Sequence, residues 1–337
     1  MVLAYHLPAK ALLTIPGYIQ HAAWFGWVGV DLFFVLSGYL VGSQALNMDA
    51  SRPATAQLAT FWCKRWMRTL PLYFAVLLVY VFKDSLFGYD FVGGNFRFAF
   101  FLQNYGPLHD FVQSWSLCVE EHFYLALPLL VVAFGRARLR PAVWIGFIVA
   151  SILVRLWYTR EAIPVDDVSM VLDWPTHTHV DGLAAGVFLA STARTWKAWH
   201  PILKRSLGIA GLVVLLAGFL AFGARLDAQN GALYFTMLAV AFSLMLIAVE
   251  DLVLPSLIGA PIYFVALLSY GAYLWFGLAG RAAEKIGGFG GPAIETVVFL
   301  GLTFGAAWST YVLVERPALV WRERILPRLG RSPKTHS

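Results

Sequence analysis

The chain has 337 residues, of which 59% are hydrophobic and 13% charged, with a mean hydropathy of +0.69. A soluble domain carries about 25% charged residues, so this composition excludes a soluble enzyme with a large core and points to an integral membrane protein, with apolar runs along nearly the whole length. The net charge of +6 does not indicate a nucleic-acid partner, because the basic residues concentrate in alternate short loops, as cytoplasmic loops do.

The predicted fold is all-α and polytopic, with about ten transmembrane helices. Residues 1 to about 16 read as the outer half of a first helix whose inner half is missing. No charged stretch precedes them, so no cleavable signal peptide is expected. The next apolar runs fall near 24–46, 66–83, 115–134, 142–158, 179–193, 206–223, 232–249, 260–280 and 293–314. Most reach the roughly 20 residues that span the hydrocarbon. The 179–193 run is short, which suits a tilted or partly buried helix. The aromatic patch at 96–102 (FRFAFFL) is too short to span and suits a re-entrant or interfacial segment. The transmembrane domain is expected over 1–317, with a basic cytoplasmic tail over 318–337 that rests on anionic lipid.

With the N-terminus inside, the cytoplasmic loops and tail carry 16 Lys and Arg residues and the outer loops 7. The bias predicts an N-in, C-in protein. Two cysteines, Cys63 and Cys118, are too few for a disulfide framework and are expected to be free. A small buried filler fits Cys118 better than a nucleophile.

Ionisable residues inside apolar runs carry the functional signal. A charge in hydrocarbon costs at least about 2.5–3.5 kcal/mol on insertion scales, so it faces a protein interior or a wet cavity. Asp31, in GVDLFFVLSGYL, is the one ionisable residue of its helix. It must be paired or protonated, and Gly29, Ser37 and Gly38 allow close helix approach. Arg65 and Arg68 are three apart and share a helix face. Two readings fit them: anchors that snorkel to headgroups, or a fork pair for a phosphate-bearing ligand from the cytoplasm. Glu120 lies more than a turn inside its helix, with Glu121 and His122 next to it. Successive helical residues diverge by about 100°, so one Glu is expected to face inward and the others the interface. His6 stands alone near the outer end of the first helix. His177, His179 and Asp181 form an H-x-H-x-D string. That spacing suits metal ligands on a strand, whereas here it enters a helix, so no metal site is predicted.

These strings in order resemble the membrane-bound acyltransferase family 3, the O-acetylase type that modifies bacterial surface glycans. The matching pieces are Tyr5-His6, GWVGVDLFFVLSGYL (26–40), KRWMRTLPLY (64–73), WSLCVEEHFYLALP (115–128), VDGLAAGVFLA (180–190), LSYGAYLW (268–275) and VERP (314–317). The resemblance implies a catalytic base at His6, a buried Asp at Asp31, a motif Glu at Glu120, and donor contacts at Arg65 and Arg68. It implies an O-acyltransferase of the bacterial inner (cytoplasmic) membrane. The donor would be acyl-CoA, commonly acetyl-CoA, and the acceptor a hydroxyl of a carbohydrate or glycolipid, with lipopolysaccharide, exopolysaccharide and peptidoglycan all open. The runner-up is a transporter or flippase for an anionic or lipid-linked solute, which intramembrane charges would suit equally. Three positions depart from the family pattern. The Arg usual in the missing half-helix is absent, His179 stands where Arg is common, and Phe276 stands where many members have His.

Overall fold

A computed structural model describes residues 1–8, 16–87, 96–108, 110–160, 163–164, 167–222, 231–287 and 291–329. The rest of the predicted first helix (9–15) and the tail from 330 lie outside the described residues.

The chain begins with a single helical turn, α1 (Val2–Tyr5), followed by α2 (Gly17–Trp24) and a 3-10 turn over Phe25–Val28. Then come α3 (Gly29–Leu46), α4 (Ala54–Phe87), α5 (Ser114–Phe134) and α6 (Pro141–Tyr158). After these lie α7 (Asp181–Lys197), α8 (Pro201–Phe222), α9 (Gly231–Val249), α10 (Ser256–Gly287), α11 (Gly291–Thr310) and α12 (Arg316–Leu329). No strand occurs among the described residues.

Among those residues, eight helices are long and apolar enough to cross a membrane. The predicted runs at the N-terminus and at 179–193 make up the difference from ten: one is seen as a single turn, and α7 is 17 residues long. The predicted 66–83 run is part of a 34-residue helix that continues through Pro71. The aromatic patch forms a 3-10 turn, Phe96–Phe100, beside the bundle.

Large apolar side chains cover the outside as well as the core. Phe82, Leu153, Leu220, Val297 and Leu313 are all exposed, which suits lipid as the surrounding solvent. The inner positions are aromatic: Phe34, Tyr73, Tyr80, Phe111 and Phe235 are fully buried. α3 is the hub, packed against α5, α7 and α9, while α10 pairs with α11 and α12 lies along α4.

The contact between α3 and α7 has a specific cause. Each helix carries two glycines four apart, Gly38 and Gly42 on α3, Gly182 and Gly186 on α7. A Cβ on Gly38 would sit 2.2 Å from the Leu183 carbonyl oxygen, and one on Gly186 would sit 2.3 Å from that of Val35. The two backbones touch, as small-residue pairs permit where lipid supplies no hydrophobic drive between helices. This approach brings the first turn of α3 against the loop that enters α7.

Overpacking of this kind costs about 1–3 kcal/mol. Gly38→Ala and Gly186→Ala are therefore expected to lower the thermal midpoint of the detergent-solubilised protein. Gly146→Ala, on an α6 position with nothing within 4 Å, is expected to leave it unchanged.

Candidate functional site

Asp31 sits in the first turn of α3 and is 2% exposed. Its Oδ1 lies 2.8 Å from His179 Nε2. The other ring nitrogen, Nδ1, donates to the Asp173 carbonyl oxygen at 2.7 Å, with the Asp173 carboxylate 3.0 Å away. Both ring nitrogens thus face acceptors, and an imidazolium with two N–H groups satisfies both. The ring stacks on Trp115 (centroids 5.5 Å apart) and packs beside Phe235 (4.0 Å), with the edge of Phe34 on it. Asp31 Oδ2 has no hydrogen-bond partner.

A second buried pair lies next to this one. Arg155, on α6, is fully buried and meets Asp181 Oδ2 at 2.9 Å. The same guanidinium donates to Thr236 Oγ1 (2.8 Å) and to the carbonyls of Thr178 (2.5 Å) and Ala232 (2.9 Å). Thr236 in turn donates to Asp181 at 2.7 Å. A buried ion pair is tolerable when its remaining donors and acceptors are filled in this way. It pins α6, α7 and α9 together around the loop that carries His179.

Asp31 lines a cavity of about 820 Å³. His6, just after α1, lines the same cavity. Its ring stacks on Phe276 at 4.1 Å and meets the edge of Tyr5 at 4.8 Å. The position where many family members carry His is therefore in direct contact with the candidate base. Trp24, Trp27, Trp115 and Trp174 supply much of the remaining wall, with Gln113, Asp173 and Glu284 as polar groups.

Glu120 lies in a neighbouring cavity of about 320 Å³, which is lined mainly by apolar side chains together with Ser116, Ser269, Tyr270 and Tyr273. Val2, Val30 and Tyr273 belong to both walls and form the partition. Tyr273 is fixed there by donating to the Gln113 carbonyl at 2.9 Å, with Ser116 Oγ 2.6 Å away. Glu120 Oε1 accepts from Tyr124 OH at 2.8 Å, and the Tyr124 oxygen lies 2.5 Å from Ser37 Oγ. The phenol has one proton, so the chain of donation runs from Ser37 through Tyr124 to Glu120.

Glu121 is also buried, and accepts from Thr69 at 2.8 Å. This corrects the expectation that only one of the pair faces inward. The start of α5 is enclosed on several sides, by α3, α4 and the 173–178 loop, so two successive carboxylates both find protein. His122 is part-buried and meets Thr176 Oγ1 at 2.7 Å. His177 and His179 diverge: His177 stacks with Tyr105 while His179 turns to Asp31.

Arg65 lies over the Tyr124 ring, 5.7 Å from its centroid, and its Nε is buried without a hydrogen-bond partner. Arg68 is exposed. Neither lines either cavity. Glu315, from the VERP string, is buried in the π-helical turn Tyr311–Glu315 that packs on α4. The structure thus places His6 and Asp31 in one cavity, Glu120 in the next, Arg65 behind the tyrosine that holds Glu120, and Arg68 on the surface. His179 and Arg155 are structural centres of the site; in the sequence His179 stood out by its H-x-H-x-D string and as a departure from a common Arg, and Arg155 carried no assigned role.

The acyltransferase-domain family model matches residues 1–312, and the chain belongs to that family. It is 27% identical to the peptidoglycan O-acetyltransferase OatA of Listeria monocytogenes, over 80% of this chain and 47% of that protein. It is 30% identical to the O-acetyltransferase OatA of Staphylococcus aureus, over 80% and 49% respectively. The chain spans about half the length of these curated relatives. No solved structure matches it.

Removing one partner of a buried charge pair costs about 3–5 kcal/mol, because the other is left uncompensated. His179→Ala is therefore expected to lower the thermal midpoint strongly. In a double-mutant cycle, Asp31→Asn with His179→Gln is expected to lose about 1–3 kcal/mol less than the sum of the single variants. Additive losses would place the two groups out of contact.

Proposed function

We propose that this chain is a bacterial membrane O-acetyltransferase that moves an acetyl group from acetyl-CoA to a hydroxyl of a carbohydrate or glycolipid. One observation carries the reading: an imidazole and a carboxylate from separate elements line one large cavity, which abuts a narrower cavity holding a second carboxylate. Intramembrane ionisable groups usually mark such a path.

In this reading the acceptor occupies the larger cavity. His6 removes the hydroxyl proton as that oxygen attacks the thioester carbonyl. The C–S bond then breaks, the CoA thiolate leaves, and the proton on His6 passes to the sulfur. No covalent enzyme intermediate is needed. The narrow, largely apolar second cavity suits an extended pantetheine arm, and Glu120, held by Tyr124 and Ser37, orients the reacting groups at its inner end. Arg65 and Arg68 hold the CoA phosphates, for which guanidinium forks are well matched. Asp31 acts from the acceptor side, fixed by His179. The excess of Lys and Arg in alternate loops supports an N-in, C-in placement in the cytoplasmic membrane, with the donor on the inside and the acceptor outside. Both O-acetyltransferase relatives favour acyl transfer over solute flux.

The test is CoA release from acetyl-CoA by the purified protein with a glycan acceptor. General-base removal costs about 10²–10⁴-fold, so His6→Ala is expected to reduce turnover by that range while acetyl-CoA binding persists. Arg65→Ala and Arg68→Ala are expected to raise the KM for acetyl-CoA by about tenfold or more, the loss of one charged hydrogen bond. Full turnover by His6→Ala contradicts the assignment. Solute flux without CoA release supports the transporter instead.

A further inference from the structure

His6 is placed by what it touches rather than by its own element. It follows α1, a single helical turn, and its amide donates to the Val2 carbonyl at 3.2 Å. A helix of four residues has no stability of its own. The imidazole stacks on the Phe276 ring, with centroids 4.1 Å apart and planes 25° apart, and Tyr5 stands nearly perpendicular to it at 4.8 Å. A stack leaves both ring nitrogens unused, and no hydrogen bond to the His6 ring occurs among the described residues.

Phe276 is itself held on several sides. It lies on α10, is buried, and packs with Ala279, Ala283 and Phe299, against which Val2, Leu3 and Leu7 also rest. Tyr273, about a turn earlier on the same helix, meets the Phe276 ring at 5.8 Å and 67°. Tyr273 belongs to the partition between the two cavities and donates to the carbonyl of Gln113, the residue just before α5. A run of contacts thus joins the head of α5, through Tyr273 and Phe276, to the His6 ring. Stacked and edge-on aromatic pairs have preferred geometries, so they fix ring planes as well as bury area.

Resting on the acyl-transfer reading, we infer that Phe276 is the positioning residue of His6. Its flat face sets the plane of the imidazole in the wall of the larger cavity and leaves the nitrogens free for the hydroxyl proton. A carboxylate or carbonyl on the ring would fix the plane as well, but by occupying a nitrogen. A base must lie within hydrogen-bond reach of the proton it removes, and a misplacement of about 1 Å costs about 10²-fold in rate. Phe276 acts through His6 on the rate of proton removal and not on the binding of acetyl-CoA.

The test is CoA release by the full chain in detergent, counted per molecule that binds acetyl-CoA, so that a loss of folded protein does not mimic a loss of rate. Phe276→Leu keeps apolar bulk and removes the flat face. It is expected to lower kcat by about tenfold or more while the KM for acetyl-CoA stays within about twofold. Phe276→Tyr keeps the face and is expected to recover most of that loss. In the His6→Ala background, Phe276→Leu is expected to change the residual turnover by less than about twofold, because the ring it holds is gone. Full turnover by Phe276→Leu overturns the proposal. So does a loss in Phe276→Tyr equal to that in Phe276→Leu, or an equal loss from Phe276→Leu with and without His6. Each of these results removes this inference alone, whereas no CoA release by the unaltered chain removes the acyl-transfer reading and this inference with it.

Discussion

The contact between Asp31 and His179 is the interaction on which the site depends. It exists because two helices with glycines four residues apart can place their backbones against each other. Gly38 meets the Leu183 carbonyl and Gly186 the Val35 carbonyl, with no room for a Cβ on either side. From that approach the first turn of α3 necessarily faces the loop before α7. A carboxylate in the interior of a membrane protein then has an imidazole 2.8 Å away, and the energetic cost of burying either group alone is offset.

Two consequences follow for the chemistry. The carboxylate is held by one oxygen, and the other is buried without a hydrogen-bond donor. The second buried pair, Arg155 with Asp181, holds the same loop, its guanidinium also donating to the Thr178 carbonyl. Rigid support of this kind is what a site needs when reacting groups must meet within a fraction of an ångström. The candidate base differs in this respect. His6 is held by stacking on Phe276, with no hydrogen bond to its ring among the described residues.

Much of the architecture was legible in the sequence because hydrocarbon imposes a simple rule. Helices must be long and apolar, and runs such as 115–134 and 232–249 coincide closely with α5 and α9. Asp31 and Glu120 stood out for the same reason, as charges that lipid does not tolerate. The pairing between them and the rest was not legible. Asp31 finds His179 across 148 positions of sequence, and His177 and His179, two residues apart, turn to different partners. Arg155 carried no assigned role in the sequence, and only the meeting of α6, α7 and α9 reveals its partners. Glu121 was expected at an interface; the enclosed start of α5 buries it. Local periodicity cannot report any of these, because each is set by which helices meet.

The arrangement of two cavities separated by Tyr273, Val2 and Val30 makes the sharpest claim about how the protein works. An electron cryo-microscopy map of the protein with a non-hydrolysable acetyl-CoA analogue tests it most directly. The account expects the acyl carbonyl at that partition, between His6 and Glu120, with the phosphates at Arg65 and Arg68. Density for the acyl group outside both cavities would contradict it.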